Sequence, residues 1–180
     1  MPIVVVDYDP VWPTLFEGLR SKVLAVAPDV VLAVEHVGST SVPGLAAKPV
    51  IDLDVVVRDG DIAEGITRLA SLGYRHRGDL GIAEREAFEA PVATPAHNLY
   101  LCPASSPALA NHLAVRDYLR ASVEAARAYG ELKRRLAAEH AYDIDRYIEG
   151  KTSFLVGVLR EVGFAADALD AITRVNRAKR

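Results

Sequence analysis

The sequence predicts an α+β fold, in which a mixed sheet has helices on one side and a C-terminal helical bundle follows. Strand and helix patterns alternate as far as about residue 105, whereas only helical periodicity continues after Pro107. The chain has 180 residues, which suits one domain with a helical extension. We therefore expect an α+β core over residues 1–105 and a helical region over 106–180, packed on the same domain.

The first part of the chain alternates between helical and extended patterns. Apolar residues recur at helical spacing over 10–27, and Pro13 is tolerated there because it falls in the first turns. The run over 50–57 is the strongest strand candidate, since it is apolar except for two aspartates. A loop or broken helical turn is expected over 39–49, which holds two prolines and a glycine. The remaining predicted elements are a strand over 30–37, a helix over 61–71 and short strands over 74–77, 85–90 and 98–102.

Helical periodicity characterises the rest of the chain. Helices are predicted over 109–120, 123–140, 144–162 and about 165–177. The chain then ends in a basic tail, which we interpret as surface: Arg174, Arg177, Lys179 and Arg180.

Composition argues against several classes of protein. A formal net charge of −3 is not typical of a protein that binds nucleic acid through bulk electrostatics. The single cysteine, Cys102, cannot form an intramolecular disulfide, which fits a reducing compartment. No apolar stretch approaches the roughly 20 residues of a membrane span, and the short apolar start lacks a basic leader. We therefore expect a soluble, cytoplasmic protein that does not bind membranes.

Two aspartates interrupt the strongest strand. Asp52 and Asp54 lie two residues apart, so both side chains point to the same face, roughly 6–7 Å apart. At an effective dielectric constant near 20, two such charges repel by roughly 2–3 kcal/mol. Open water, a cation such as Arg58 or Lys48, or a divalent metal could offset this repulsion. Oxygen ligands on one strand suit Mg²⁺ or Mn²⁺, which complete their coordination with water and substrate phosphates.

A glycine-serine turn precedes this strand. Gly38 at the end of a strand allows a close approach of the backbone to a ligand, and Ser39 and Thr40 offer hydroxyl and N–H groups. This pattern suits a phosphate, and a plain helix cap by Ser39 or Thr40 is the common alternative. The motif is neither a P-loop nor a nucleophile elbow, since the residues that define those motifs are absent from the sequence.

The spacing of these features resembles a known signature. Glycine-serine at a strand end, followed about a dozen residues later by Asp-hydrophobic-Asp, is similar to the active site of the nucleotidyltransferase superfamily, which includes DNA polymerase beta and the aminoglycoside nucleotidyltransferases. A closer resemblance covers nearly the whole chain, and on it the sequence is identified as a member of the GrpB family. The segments that carry it are YDPVW (8–12), EHVGSTSVPGLAAKPVIDLDV (35–55), GYRHRGDLGI (73–82), HLAVRDYLRA (112–121), YGELKRRLA (129–137) and YIEGKTSFL (147–155).

The resemblance implies a nucleotidyltransferase-like fold and a set of roles. Asp52 and Asp54 would be catalytic and hold Mg²⁺ or Mn²⁺ together with a nucleoside triphosphate, and a small molecule would be the acceptor. His97 is the candidate general base. The candidate nucleotide- and phosphate-binding residues are His36, Gly38, Ser39, Thr40, Lys48, Arg85, Arg116 and Lys151. Nucleic acid is not the expected partner.

The sequence also departs from the family pattern. Active nucleotidyltransferases add a third carboxylate from a later strand, where GrpB proteins have His-His-Leu-His and this chain has His-Asn-Leu-Tyr at 97–100. Glu86 and Glu89 are the nearest acids, and they face opposite ways. The alternative function is therefore a non-catalytic module that binds phosphate or nucleotide.

Several candidates also have a purely structural explanation. A lone histidine such as His36 is often packed in a core, and Arg85 could simply be solvated. Lys48 could pair with an aspartate instead of a phosphate. His112, Arg116 and Arg120 are spaced four apart, so they form either the rim of a phosphate cleft or a solvated helix face.

Overall fold

The computed structural model describes residues 2–177, which form six α-helices and one five-stranded sheet. The α+β prediction is confirmed, and the main change is in the short strand predicted over 74–77, which shrinks to two residues. The elements are α1 (Trp12–Val26), β1 (Val31–Val37), a 3-10 turn (Ser39–Ser41), β2 (Ile51–Val57), α2 (Ile62–Ser71), β3 (Arg75–His76), β4 (Glu86–Glu89), β5 (His97–Pro103), α3 (Pro107–Ala121), α4 (Val123–Glu139), α5 (Ile144–Glu161) and α6 (Ala166–Val175).

The sheet is mixed, with strand order β1-β2-β5-β4-β3. Only β2 and β5 run parallel to each other, and the other neighbouring strands are antiparallel. The register places Asp52 beside Asn98 of β5 and Asp54 beside Tyr100. On the other side of β2, Asp54 lies opposite Glu35 of β1. The acidic strand is therefore central, and residues from both neighbouring strands surround its two carboxylates.

One face of the sheet forms the main hydrophobic core, under α1 and α2. Side chains alternate along β2, so Leu53, Val55 and Val57 all point to this face and are fully buried. From α1, Trp12, Phe16, Leu19 and Val23 pack against them at helical spacing, and Leu69 of α2 completes the core. This is the face that the sequence predicted to be apolar.

The C-terminal helices cover the opposite face. Leu109 of α3 packs on Val56 and Cys102, beside the two aspartates. Leu119 of α3 and Tyr129 of α4 enclose the loop that follows the 3-10 turn. The helical bundle therefore packs over the acidic face of the sheet, and the space between sheet and bundle is where a ligand site can form.

Side-chain caps begin three of these helices. Ser106 accepts a hydrogen bond from the Leu109 amide at the start of α3, and Ser122 accepts one from Ala125 at the start of α4. Asp143 caps α5 in the same way. These caps mark the starts of three helices that the apolar periodicity of the sequence predicted to within two residues.

Other predictions concern the ends of these regions. The predicted boundary at 105/106 falls between β5 and α3 and stays a prediction. In the basic tail, Arg174 and Arg177 are exposed, whereas Lys179 and Arg180 lie outside the described residues. No helix within residues 2–177 has the length and apolar character that crossing a membrane requires.

Candidate functional site

The glycine-serine turn packs directly against the first aspartate. Gly38 has φ +68°, and a Cβ atom at this position would lie 2.1 Å from Asp52 Oδ2. The Ser41 hydroxyl donates a 2.6 Å hydrogen bond to the Gly38 carbonyl, and Thr40 donates one to the Val50 carbonyl at 3.4 Å. Only glycine fits this close approach, which leaves Ser39 at the edge of the cavity described below.

Asp52 is half-buried and faces that cavity. Its Oδ1 accepts a 2.7 Å hydrogen bond from Asn98 Nδ2 on the neighbouring strand. Burial raises the pKa of Asp52, and the Asn98 hydrogen bond and the nearby His112 partly oppose this shift. Burial therefore disfavours the ionised form of Asp52, and a bound cation would stabilise that form.

Asp54 is fully buried, and a histidine stabilises it. Its Oδ2 lies 2.7 Å from His112 Nδ1 on α3, while Oδ1 has no hydrogen-bond partner within residues 2–177. Arg58, one of the cations expected to offset the acidic pair, instead binds Asp61 at 3.1 Å. The partner of Asp54 is therefore a histidine of the helical bundle, and the sequence of the strand alone does not predict it.

A cavity of about 690 Å³ lies in front of Asp52, between the sheet and helices α3, α5 and α6. A second cavity of about 260 Å³ adjoins it, because Ser39, Asp52, Tyr100, Ile148 and Lys151 line both. The combined volume is in the range of sites that hold a nucleotide-sized molecule.

Three lysines line the smaller cavity: Lys48, Lys133 and Lys151. Lys133 is 2% exposed; it donates to the Ala46 carbonyl and lies 4.7 Å from the centre of the Tyr129 ring. Burial, with Lys151 nearby, lowers the pKa of Lys133 to about 7. Burial also lowers the pKa of Lys151 to about 8, with Lys48 adding to the shift and Asp52 opposing it.

Arg85 lines the larger cavity and is almost fully buried. Its guanidinium lies 4.2 Å from the centre of the Tyr100 ring, and its Nε has no hydrogen-bond partner in the described chain. Burial raises the pKa of Tyr100, with a further contribution from Asp52. A buried guanidinium with an unpaired donor is suited to an anion.

Basic residues on one face of α3 bind β1 and the 3-10 turn. Arg116 binds Glu35 at 2.6 Å and also donates to the carbonyl of His36, while lining the larger cavity. Arg120 donates a 3.0 Å hydrogen bond to the carbonyl of Ser41 in the 3-10 turn. Each cation of this face therefore contacts the first half of the chain, although Arg120 stays exposed and Arg116 lines the larger cavity.

The structure does not bring two of the predicted histidines to the site. His36 stacks on Phe16 with ring centres 4.6 Å apart, and burial lowers its pKa to about 4. His97 is buried on the core face, where Tyr74 and the Pro95 carbonyl each lie 2.7 Å from a ring nitrogen. The predicted role of His97 as general base is corrected, since the sheet separates it from Asp52.

No acid lies beside Asp52 on β5, although Glu84 lines the larger cavity and Glu35 lies opposite Asp54, where Arg116 binds it. Asn98 occupies the β5 position beside Asp52, while Glu86 binds His76 at 2.5 Å and Glu89 binds Arg75 at 2.6 Å. Within residues 2–177, no group of three or more His, Cys, Asp and Glu side chains is placed to hold a metal ion. Any divalent cation here would need ligands from water and substrate in addition to the protein.

The sequence model of a family described as GrpB protein matches residues 2–161. The chain belongs to the GrpB family. It is 32% identical to the GrpB protein of Enterococcus faecalis, whose crystal structure superposes with a TM-score of 0.79 over 93% of this chain and 98% of that one. It is also 33% identical to the UPF0157 protein YqkA of Bacillus subtilis over 154 residues, which are 85% of this chain but only 45% of YqkA.

The fold of this GrpB chain is nucleotidyltransferase-like. It superposes with a TM-score of 0.56 and 13% identity on a chain from the structure of the GLD-2/RNP-8 complex, covering 89% of this chain and 62% of that one. A likeness at this identity concerns the fold alone and shows neither a substrate nor a reaction.

Sequence reasoning missed two features of the site. Lys133 belongs to a run of three basic residues, 133–135, yet it occupies a stripe of buried positions on α4 with Ala126, Tyr129 and Leu136. That helical spacing was the signal that could have identified it. The contact of His112 with Asp54 spans 58 residues, and no local pattern indicates such a pair.

Proposed function

We propose that this GrpB-family protein binds the phosphate chain of a nucleoside triphosphate, together with Mg²⁺ or Mn²⁺, where the two cavities meet. The observation that carries the proposal is the convergence of the Gly38–Ser39 turn and four cationic side chains around the accessible carboxylate of Asp52. The cations are Lys48, Lys133, Lys151 and Arg85.

The charge balance of the cavities supports an anionic ligand. The lowered pKa values of Lys133 and Lys151 reflect two ammonium groups that are buried with too little negative charge nearby. A phosphate chain would supply that charge and accept hydrogen bonds from these donors, and charge-assisted hydrogen bonds are stronger than neutral ones.

The acidic pair fits one divalent cation. Asp52 lines both cavities and is the accessible ligand, whereas Asp54 lines neither, and its unpartnered Oδ1 is a buried second oxygen on the same strand face. When bound, the cation would neutralise phosphate charge and polarise the phosphorus atom under attack. Because Asn98 rather than an acid lies beside Asp52 on β5, the strand supplies ligands for one ion and not for a pair of ions.

Nucleotidyl transfer to a small-molecule acceptor is the reaction that this site supports best. His112 lines the larger cavity, and the Asp54 carboxylate accepts from Nδ1–H, which leaves Nε2 as a proton acceptor. We therefore propose His112, in place of His97, as the general base for the acceptor hydroxyl. Ser39, Lys48 and Lys151 would hold the phosphates of the nucleotide while the acceptor attacks.

A non-catalytic nucleotide-binding module is the second candidate. The observation that favours it is the amide of Asn98, which binds Asp52 at the position where active relatives in the superfamily carry an acid. In that case the same residues would bind the nucleotide and release it unchanged.

Isothermal titration calorimetry with each of the four ribonucleoside triphosphates and Mg²⁺ tests the binding proposal. We expect at least one to bind, Lys151→Met to weaken it about tenfold, and Asp52→Asn to remove its dependence on Mg²⁺. Lys22→Met is the matched control, because Lys22 is exposed and lies outside both cavities. Absence of binding by all four nucleotides would overturn the proposal.

Release of pyrophosphate separates the two candidates. The bound nucleotide is incubated with Mg²⁺ and a mixture of hydroxylated and amino-bearing metabolites, and pyrophosphate is measured by a coupled assay. If the wild type releases pyrophosphate and His112→Ala abolishes this release but still binds the nucleotide, the result supports transfer. Tight binding without release supports the non-catalytic module.

A further inference from the structure

Arg85 and the lysines of the site belong to different cavities. Of the four cations around Asp52, Arg85 lines the larger cavity only, Lys48 and Lys133 line the smaller one only, and Lys151 lines both. The three lysines can therefore neutralise the phosphate chain of a nucleotide by themselves. This leaves the Arg85 guanidinium to a second anion, bound in the larger cavity beside the nucleotide.

The protein gives Arg85 no anionic partner. Arg116, the other arginine that lines the larger cavity, is already paired with Glu35 and Asp117. Arg85 is 9% exposed, forms no ion pair with any residue that the structure describes, and has a buried Nε without a hydrogen-bond partner. Glu84 lines the same cavity, but it is exposed and does not bind Arg85. Because a buried and unpaired cation is costly, a bound anion would offset this cost.

The surroundings of Arg85 hold its side chain in position before any ligand binds. Its guanidinium carbon lies 4.2 Å from the centre of the Tyr100 ring. The preceding residue, Glu84, has φ +57°, a conformation that residues other than glycine rarely adopt. Strain of this kind persists where the surrounding structure fixes it, and it is frequent at ligand-binding sites. A group positioned in this way loses little conformational freedom when it binds.

Arg85 and the proposed general base lie against the same ring. The centre of the His112 ring is 6.0 Å from the centre of the Tyr100 ring, on which Arg85 stacks, and all three residues line the larger cavity. A molecule with its hydroxyl at His112 and its acidic group at Arg85 therefore needs only a short carbon chain between the two groups.

The charge of one guanidinium matches a carboxylate. The guanidinium fork donates two parallel hydrogen bonds to a carboxylate, and each group carries one charge. A phosphate ester carries nearly two negative charges. Its second charge would need another cation, but Arg116 is paired and Lys151 also lines the lysine cavity.

We infer that the acceptor is a small hydroxycarboxylic acid, whose carboxylate binds Arg85 while its hydroxyl faces His112. The inference rests on the proposed nucleotidyl transfer and adds the chemical class of the acceptor. The hydroxyl oxygen forms a bond to the α-phosphorus, its proton passes to His112 Nε2, and the bond to the β-phosphate oxygen breaks, so that pyrophosphate leaves with the electron pair. Arg85 determines specificity, because an alcohol without the acid leaves the guanidinium unpaired.

Titrations followed by ligand-observed NMR with glycerol, glycerate and glycerol 3-phosphate test this inference, because the three compounds share one carbon skeleton. Each is added to the full chain with Mg²⁺ and a saturating non-hydrolysable analogue of the nucleotide that binds. We expect glycerate to bind at least about tenfold tighter than glycerol, since hydrogen bonds between charged groups are the strong ones. Glycerol 3-phosphate should bind more weakly than glycerate.

Variants of Arg85 test whether this residue causes the preference. Arg85→Met should lower the affinity for glycerate to that for glycerol, and Arg85→Lys should recover part of the difference, since lysine keeps the charge but not the fork. Glu84→Gln is the matched control, because it removes a charge of opposite sign from the same cavity and should not weaken glycerate. Each variant is measured at a nucleotide concentration that saturates it, which separates the preference from any change in nucleotide affinity.

The outcomes distinguish this inference from the proposed nucleotide site. If glycerate binds no tighter than glycerol, if glycerol 3-phosphate binds tightest, or if Arg85→Met keeps the preference for glycerate, the inference is overturned and the nucleotide site stands. If calorimetry detects no nucleotide binding to the wild type, the proposed function and the inference both fail.

Discussion

At the scale of single residues, the buried carboxylate of Asp54 depends on one partner from a distant helix. Its Oδ2 lies 2.7 Å from His112 Nδ1, and its Oδ1 has no partner among residues 2–177. A buried carboxylate that loses its one hydrogen bond keeps the full cost of desolvation. The pair therefore couples the stability of the sheet to the position of α3.

Replacing His112 should destabilise the fold through Asp54. We expect His112→Ala to lower the free energy of unfolding by about 2–4 kcal/mol, and by much less when Asp54 is also changed to Asn. Urea denaturation of the two single variants and the double variant measures this coupling. His76→Ala is the control, because its partner Glu86 is partly exposed and that pair should contribute at most about 1 kcal/mol. If His112→Ala lowers the free energy of unfolding equally in the wild type and in the Asp54→Asn variant, the pairing of His112 with Asp54 is contradicted.

The lysines of the smaller cavity should make ligand binding dependent on pH. With pKa values of about 7 for Lys133 and about 8 for Lys151, both lose their protons as pH rises from 7 to 9 in the free protein. An anion favours the protonated amines, so binding at pH 8 should take up protons, and affinity should fall several-fold between pH 7 and 9.

Calorimetry in buffers with different ionisation enthalpies measures this proton uptake. Lys151→Met should reduce it, whereas the exposed Lys22→Met should not. An affinity that stays constant over this pH range would show that the amines do not contact the ligand.

At the scale of elements, a turn and a helix face position the site. Gly38 lets the chain pass against Asp52, and Arg120 of α3 holds the 3-10 turn through the Ser41 carbonyl. The sequence predicts both the turn and the cationic spacing on α3, because both are local patterns. The sequence does not predict the partners of these cations, since Arg116 and Arg120 bind groups about 80 residues away.

Gly38 and Gly44 have similar φ angles, so alanine substitutions at these two positions distinguish backbone strain from steric crowding. Gly38 has φ +68° and meets Asp52, whereas Gly44 has φ +79° with nothing within 4 Å of an added Cβ. Gly44→Ala should cost only the strain of a positive φ, about 1 kcal/mol. Gly38→Ala should cost clearly more and also weaken nucleotide binding, because it displaces the Asp52 carboxylate. Thermal denaturation and calorimetry measure both effects, and equal behaviour of the two variants would contradict the packing described here.

At the scale of the whole molecule, the site exists because the helical bundle covers the acidic face of the sheet. The alternation of β2 predicts which face is apolar and which carries the aspartates, and that prediction is confirmed by the burial of Leu53 and Val55 under α1. What covers the other face depends on contacts between residues far apart in sequence. For this reason the pairing of His112 with Asp54 could not be predicted from local patterns. The position of His97 could be, because strand alternation puts it on the face of Leu99 and Leu101, which are buried in the core.

The most direct test is a crystal structure of the protein with Mn²⁺ and a non-hydrolysable nucleoside triphosphate. Our account predicts phosphate density against the Gly38–Ser39 turn, within reach of Lys48 and Lys151, and an anomalous manganese peak in contact with Asp52. Nucleotide bound elsewhere, or bound here with Asp52 still joined only to Asn98 and no manganese beside it, would contradict it.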